Sequence, residues 1–200
     1  MKKFFALLPL VGVMLAGCGG AYIDVEVVDQ RPPVPQERIE YLTHPTISGL
    51  EYFNTTTGSD LHFTTAAGRY VGYTGNDVVT FVLGNIVLFK MPGNLAQAYS
   101  SLYDASRYSI STLNDNTAVE NLMAFLMVVD DDGNYENGIQ IAYPVRVAAL
   151  SLRVNFNQSA YNFRTDPAVL YAASILSSNT LYGTRYLPSS SEAIRALQVP

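Results

Sequence analysis

The stretch from Val78 to Phe89, VVTFVLGNIVLF, decides the fold of this chain. Both of its halves are rich in β-branched and aromatic residues, which favour strands. Gly84-Asn85 between them is typical of a tight turn that joins paired strands. A membrane-spanning helix needs about 20 apolar residues, whereas this run is shorter and the turn interrupts it. The stretch therefore predicts a β-hairpin in the core of a folded domain.

Further strand patterns precede this hairpin. The segments Leu50–Phe53, Asp60–Thr64 and Arg69–Tyr73 are rich in strand-forming residues, and turn-forming residues separate them. Ala67-Gly68 predicts a hairpin turn between the last two of these segments. We expect an antiparallel β unit over about residues 48–91, whose hairpins resemble those of transthyretin-like sandwiches.

Beyond the hairpin the pattern becomes mainly helical, over about residues 94–200. Thr117-Ala118-Val119-Glu120 has the form of a capping box at the start of a predicted helix, and Asp130–Gly133 ends that helix. Asp166-Pro167 predicts the start of a second helix, and Ser189–Glu192 predicts the start of a third. Strands followed by helices predict an α+β fold.

The N-terminus has the layout of a secretory signal peptide. Met1-Lys2-Lys3 is basic, the run from Phe4 to Met14 is apolar, and Leu15-Ala16-Gly17-Cys18 follows. This ending resembles the lipobox of bacterial lipoproteins, in which the preceding peptide is removed and the cysteine receives acyl chains. Cys18 is the only cysteine of the chain, so it has no disulfide partner there. We expect residues 1–17 to be removed and Cys18 to be lipidated; the alternative is an uncleaved signal with a chance cysteine.

Charge and the residue after the cysteine bear on location and partners. Loss of Lys2 and Lys3 takes the formal net charge from −5 to −7, and the chain has no basic run, so we expect no nucleic-acid binding. Gly19 stands where an aspartate marks retention at the inner membrane in enterobacteria. The resemblance to that sorting rule favours the outer membrane. We expect lipid on Cys18 to hold the protein at a membrane of the bacterial cell envelope.

Residues 18–47 have the composition of a lipidated tether. Within them Tyr22–Val28 alternates apolar and acidic residues, so it is either part of the tether or an edge strand of the main sheet. Arg31–Pro35 favours extended polyproline geometry and acts as a semi-rigid spacer. We place the start of a single α+β domain at residue 48, so that the domain covers residues 48–200.

Several short segments follow one another in a distinctive order: Gly68–Tyr73, Asp77–Gly84, Asn121–Leu126, Asp130–Gly133, Asn137–Ile139, Asn155–Ser159 and Leu187–Ser189. In this order they resemble a family of bacterial envelope proteins that are often lipoproteins or modules of larger surface proteins. The resemblance implies fold and location and supplies no catalytic residue. The chain departs from the family at Thr64-Thr65, where Thr-Asp is usual, at Phe89, where glycine is usual, and at Asn157, where an acid is common.

Oxygen-bearing side chains crowd the loop after the first predicted helix, namely Asp130, Asp132, Asn134, Glu136 and Asn137. Oxygen ligands at alternate positions of a tight loop suit calcium, which takes six to eight of them. The match to a helix–loop–helix calcium loop is incomplete, because Tyr135 and Ile141 stand where that loop needs glycine and glutamate. The alternative is a solvated turn with Gly133 and Gly138 in left-handed conformations. Acids at a helix C-terminus oppose its dipole, which hints at a positive group nearby.

Candidates for catalysis are few. His44 and His62 are the only histidines, and His62 lies in a predicted strand. The chain has no Gly-x-Ser-x-Gly elbow, no His-Glu-x-x-His motif and no Cys/His cluster for zinc. An envelope hydrolase that assembles serine, histidine and acid from distant positions stays as the alternative function.

Tyrosines suggest binding as a further alternative. A surface for sugars or peptides is one interpretation of a set that comprises Tyr70, Tyr73, Tyr99, Tyr103 and Tyr108, and core packing is the other. We expect a non-enzymatic structural or interaction role for a lipid-anchored envelope protein, with an envelope protein as partner. An enzyme should show a pocket that joins His62 to an acid and a hydroxyl, whereas an adaptor should show a flat apolar patch.

Overall fold

The computed structural model describes residues 33–95, 99–108 and 110–198. The predicted signal peptide, Cys18 and Tyr22–Val28 lie outside the described residues. From Val34 onward the chain folds as one unit. Its strands are β1 (Glu37–Leu42), β2 (Ile47–Ser48), β3 (Glu51–Asn54), β4 (His62–Phe63), β5 (Arg69–Tyr73), β6 (Val78–Leu83), β7 (Ile86–Pro92), β8 (Tyr99–Ser100) and β9 (Ile139–Gln140). Its α-helices are α1 (Leu102–Ala105), α2 (Asn116–Val129), α3 (Tyr143–Ala148), α4 (Ala160–Thr165), α5 (Pro167–Ser177) and α6 (Ser190–Ala196). Short 3₁₀ helices span Tyr135–Asn137 and Ala149–Ser151.

The strands form two main sheets, and the α+β prediction is confirmed. One sheet has the strand order β4-β3-β6-β7 and is antiparallel, with β6 and β7 joined through Gly84-Asn85 as the sequence predicts. The other sheet has the order β5-β1-β8, in which β1 pairs antiparallel with β5 and parallel with β8. A short parallel pairing of β2 with β9 ties the strand-rich part to the loop after α2.

Aromatic rings join the two sheets. Tyr70 on β5 meets Phe81 on β6 edge-on with ring centroids 5.0 Å apart, and Phe81 stacks on Phe89 at 4.5 Å. Beside these rings the two backbones touch: a Cβ on Gly72 would lie 2.5 Å from the carbonyl oxygen of Gly93. The sheets therefore need a residue without a side chain at position 72.

Helix α2 is the centre of the helical part. The consecutive residues Leu122–Leu126 are all buried, because α4, α5 and α6 all contact the helix. The predicted start of α2 is wrong by a few residues: the carboxylate of Asp115 accepts a hydrogen bond from the Ala118 amide at 2.9 Å and caps the helix. Thr117 instead lies within the first turn of α2 and is not its N-cap residue.

The starts of the two later helices match the sequence prediction. Asp166 caps α5 by accepting from the Ala168 amide at 2.8 Å, and Pro167 is the first helical residue. At α6 the Ser189 hydroxyl accepts from the Glu192 amide, and the Glu192 carboxylate accepts from the Ser189 amide at 2.8 Å. Local capping chemistry was sufficient to locate both helices.

The expected tether is wrong over its last part, because β1 lies within it. The strand Glu37–Leu42 is the central strand of the three-stranded sheet, and Leu42 is fully buried. The turn at Ala67-Gly68 is present, but the predicted hairpin is wrong, since β4 pairs with β3 and β5 pairs with β1. The chain thus passes from one sheet to the other at this turn.

Candidate functional site

The acidic loop begins where α2 ends. Asp130 is the C-cap residue of α2 and is fully buried. Its Oδ1 atom accepts a hydrogen bond from the Gln140 amide at 2.8 Å, while its Oδ2 atom has no hydrogen-bond partner. Burial raises the pKa of Asp130 to about 6, and the nearby carboxylate of Asp132 adds to that rise.

Asp132 is the polar hub of the loop. Its Oδ1 atom accepts from the Asn134 amide at 2.8 Å. Its Oδ2 atom accepts from Asn137 Nδ2 at 2.8 Å and from Gln140 Nε2 at 3.3 Å. These hydrogen bonds, with that of Asn137 the foremost, lower the pKa of Asp132, because they favour the ionised form.

The structure brings together part of the predicted calcium set. Asp130, Asp132 and Asn137 converge, and Gln140 joins them, whereas the Asn134 side chain accepts from the Glu136 amide at 3.3 Å and caps the 3₁₀ turn. Glu136 is exposed. No group of three histidine, cysteine, aspartate or glutamate side chains able to hold a metal occurs among the residues that the structure describes.

Arg185 supplies the positive group that the acids at the helix C-terminus call for. Its Nη1 atom donates to the Met127 carbonyl at 3.0 Å, and its Nη2 atom donates to the Asp130 carbonyl, both at the end of α2. A cation at this end of a helix interacts favourably with the helix dipole. Burial lowers the pKa of Arg185, while the neighbouring acids oppose that shift.

A pocket lies between the acidic loop and the segment that carries Arg185. It has a volume of about 330 Å³ and is lined by Met127, Gly133, Tyr135, Tyr182, Thr184, Arg185, Tyr186 and Pro188. The Tyr182 ring is held between two groups: the Arg185 guanidinium lies 5.0 Å from its centroid, and a Cβ on Gly133 would lie 2.7 Å from its Cδ2 atom. We call this site the tyrosine pocket.

The loop and the pocket segment are also joined through their backbones. The Asp131 carboxylate accepts from the Leu181 amide at 3.0 Å, and the Asp131 carbonyl accepts from the Tyr182 amide at 3.0 Å. The loop therefore sets the position of the Tyr182 ring.

The tyrosines singled out from the sequence do not form one surface. Tyr70 is a core residue whose hydroxyl donates to the buried carboxylate of Glu40 at 2.8 Å. Tyr103 and Tyr108 pack against the core, so core packing is the better interpretation for these three. Exposed tyrosines line the pocket instead: Tyr182 and Tyr186 are 65% and 94% exposed. No local sequence pattern distinguishes them from the other tyrosines.

Neither histidine belongs to a catalytic arrangement in the part of the chain that the structure describes. The His62 ring lies on exposed strand β4 and packs against Tyr52 with centroids 5.4 Å apart. His44 precedes Pro45 in a turn and has a φ of 56°. A base that acts on a serine needs an acid to orient it, and no ion pair joins either histidine to a carboxylate within these residues.

The departures from the resembled family have structural consequences. Thr64 is buried, and its hydroxyl accepts from the Leu50 amide at 3.0 Å. Phe89 fills the core beside Phe81. Asn157 accepts from the Asn114 amide at 2.9 Å and donates to the Thr112 carbonyl at 2.7 Å. An ionised acid at this position could make the first of these hydrogen bonds but not the second, because a carboxylate has no hydrogen to donate.

A second group of exposed side chains surrounds Arg146, away from the lining of the tyrosine pocket. The Arg146 guanidinium lies 4.8 Å from the Phe63 centroid and 5.7 Å from the Tyr143 centroid. Phe63 on β4 is 48% exposed, Tyr143 on α3 is 70% exposed, and Val147 on α3 is 46% exposed. These side chains resemble the apolar patch expected of an adaptor.

Comparison with known proteins gives no relative to argue from. No family model, no curated protein and no solved structure matches the chain. Within the described residues, no helix has the length and apolar character needed to cross a membrane.

Proposed function

We propose that the chain is an exported protein that carries lipid on Cys18 and acts at the bacterial cell envelope by binding rather than by catalysis. The basic start, the short apolar run and the ending Leu15–Cys18 support export and lipidation. The resemblance to envelope lipoproteins agrees with this location. Gly19 after the cysteine favours the outer membrane, by resemblance to enterobacterial sorting.

The binding site that we assign is the tyrosine pocket, and its occupant is a saccharide of the envelope. The observation that carries this assignment is the grouping of Tyr135, Tyr182 and Tyr186 around a cavity of about 330 Å³. Pockets for small ligands combine apolar walls with a few polar groups, and tyrosine offers a flat apolar face with a polar tip. A sugar ring presents the matching surfaces, an apolar face of C–H groups and a rim of hydroxyls.

The charge of the surroundings favours an uncharged sugar. Arg185 is the one charged residue in the lining of the pocket, and three acids, Asp130, Asp131 and Asp132, lie near it. The net charge around the pocket is therefore negative, which disfavours a strongly anionic ligand.

Saccharide binding is tested by calorimetric titration of the whole chain, in detergent, with a panel of neutral hexoses and N-acetylated hexosamines. Tyr182→Ala should weaken binding about tenfold or more, the equivalent of about 1.4 kcal/mol. Tyr171→Ala on α5 is the matched control, since Tyr171 is 62% and Tyr182 is 65% exposed. Binding of no sugar in the panel, or an equal loss in both variants, would contradict the assignment.

The lipid anchor has a separate test. Cys18→Ser should leave the protein in the soluble fraction after cell lysis, and mass spectrometry of the unaltered protein should show an acylated N-terminal cysteine. An unacylated Cys18 in the mature protein would refute the anchor and leave the saccharide proposal standing.

A further inference from the structure

The buried oxygen of Asp130 has no partner that the structure accounts for. Asp130 is 0% exposed, and its Oδ2 atom makes no hydrogen bond. Buried polar atoms are nearly always hydrogen-bonded or bound to an ion, so each exception needs an explanation. Arg185 does not provide one, because its Nη atoms donate to the carbonyls of Met127 and Asp130 and to the hydroxyl of Thr180.

Gln140 links Asp130 to a second carboxylate. The Gln140 amide donates to Asp130 Oδ1 at 2.8 Å, and Gln140 Nε2 donates to Asp132 Oδ2 at 3.3 Å. Arg185 is the nearby cation, since its Nη2 atom donates to the Asp130 carbonyl, but it leaves Asp130 Oδ2 without a partner. The groups around the two carboxylates indicate what else could bind that oxygen.

Two side-chain amides converge on the same carboxylate. Asn137 Nδ2 and Gln140 Nε2 lie 2.8 and 3.3 Å from Asp132 Oδ2. An amide carries its oxygen and its nitrogen at nearly equivalent positions, so a half-turn of each amide replaces the donor with an oxygen. Two carboxylates and two amide oxygens are hard ligands of the kind that calcium takes.

We propose that the loop binds a calcium ion at Asp130 and Asp132, with the side-chain amides of Asn137 and Gln140 turned to present their oxygens. Backbone carbonyls and water supply the remaining ligands that calcium requires. This set differs from the one expected from the sequence, in which Asn134 and Glu136 took part and Gln140 did not. The ligands of this site are different residues from those that line the saccharide pocket, although the same loop forms one wall of that pocket.

The modest number of carboxylates sets the expected affinity. Sites with few charged ligands in extracellular modules bind calcium with dissociation constants of about 10⁻⁴ to 10⁻³ M. At about 10 mM calcium, a site of that affinity should raise the unfolding midpoint by about 3 to 10 °C for a chain of this size.

The experiment is thermal unfolding of the whole chain in detergent, with 10 mM calcium chloride or with chelator, without any saccharide. Asp132→Asn removes one carboxylate from an exposed side chain and keeps its size, and Glu136→Gln is the matched control with the same charge change in the same loop. Calcium should raise the midpoint of the unaltered chain and of Glu136→Gln, and should leave that of Asp132→Asn unchanged. Calorimetric titration with calcium should give one site per chain.

Two results would overturn the proposal. The absence of any rise in the unaltered chain would show that the loop binds no calcium. A rise that persists in Asp132→Asn and is lost in Glu136→Gln would place the ion on the other ligand set. Because no sugar is present, neither result bears on the saccharide pocket.

Discussion

Replacing Tyr70 with phenylalanine removes one hydroxyl from a fully enclosed polar contact in the core. Tyr70 is 1% exposed and Glu40 is 0% exposed, and the tyrosine hydroxyl donates to Glu40 Oε2 at 2.8 Å. The other carboxylate oxygen accepts from the Leu95 amide at 3.2 Å. The Arg38 Nε atom lies 3.9 Å from that oxygen. Glu40 thus depends on Tyr70 for one of few stabilising contacts.

The cost of the substitution should depend on pH. Burial raises the pKa of Glu40, and the Tyr70 hydrogen bond opposes that rise by favouring the ionised form. A raised folded-state pKa means that the native protein holds the proton longer than the unfolded chain, so stability falls as pH rises through this window. Tyr70→Phe removes a contact that favours the anion, so its cost grows as Glu40 ionises.

The magnitude follows from the type of hydrogen bond. A hydrogen bond to a charged group contributes about 1.5–3 kcal/mol, and a neutral one contributes about 0.5–1.5 kcal/mol. We expect Tyr70→Phe to cost about 2 kcal/mol above the folded-state pKa of Glu40 and about 1 kcal/mol below it. The larger cost corresponds to a fall of about 4–8 °C in the unfolding midpoint for a chain of this size.

The assay is urea unfolding at pH 4, which lies below the ordinary pKa of 4.5 and so below the raised pKa of Glu40, and at pH 8, with Tyr70→Phe, Glu40→Gln and the double variant compared in a cycle. Tyr52→Phe is the control, because its buried hydroxyl accepts from the Val71 amide at 3.1 Å and no carboxylate is involved in that hydrogen bond. Its cost should be the same at both pH values. In the Glu40→Gln background, the cost of Tyr70→Phe should also lose its pH dependence. Equal costs of Tyr70→Phe at pH 4 and pH 8 would refute the reasoning.

Two further substitutions probe the packing of the fold. Asn121 is fully buried and its Nδ2 atom donates to two backbone carbonyls at 2.9 Å each. Asn121→Ala should therefore lower the free energy of unfolding by about 3 kcal/mol. Asn116→Ala on the exposed first turn of α2 is the control and should lower it by less than about 1 kcal/mol in the same denaturant unfolding experiment. Gly72→Ala places a Cβ 2.5 Å from the Gly93 carbonyl oxygen and should cost about 2–3 kcal/mol. Gly75→Ala has open space but a φ of 90°, so it should cost only about 1 kcal/mol, and a reversed order of the two glycine variants in calorimetry would show that the sheets are not in contact at Gly72.

Local chemistry explains which parts of the fold could be predicted. The hairpin at Gly84-Asn85, the Asp166 cap and the Ser189 capping box depend on residues a few positions apart, and all three appear in the structure. Strand β1 could not be predicted in this way. Its sequence ERIEYL reads as polar linker, and Glu40 is tolerated in the core only because Tyr70, 30 residues away, and Leu95, 55 residues away, donate to it.

In the candidate site, too, the features that depend on neighbouring residues could be predicted, and those that depend on distant residues could not. The acidic loop could be located from its sequence because its oxygen-bearing residues lie within a few positions of one another. The proposed ligand set could not be predicted, since Gln140 enters through the pairing of β9 with β2 and the Asn134 side chain caps the 3₁₀ turn. Arg185 lies 55 residues from Asp130, so only the dipole argument for a nearby cation hinted at it.

Gly133 belongs both to the acidic loop and to the lining of the tyrosine pocket. Its φ of 72° favours glycine for the turn alone, but the ring of Tyr182 adds an independent reason, since a Cβ at this position would lie 2.7 Å from it. A side chain here would displace the ring from the loop and from the Arg185 guanidinium, even if the turn itself kept its shape. The backbone of this loop therefore carries the proposed calcium ligands Asp130 and Asp132 and also contacts Tyr182 of the proposed saccharide pocket. An ion that orders the loop should therefore also order the wall of the pocket, because Asp131 holds the amides of both Leu181 and Tyr182.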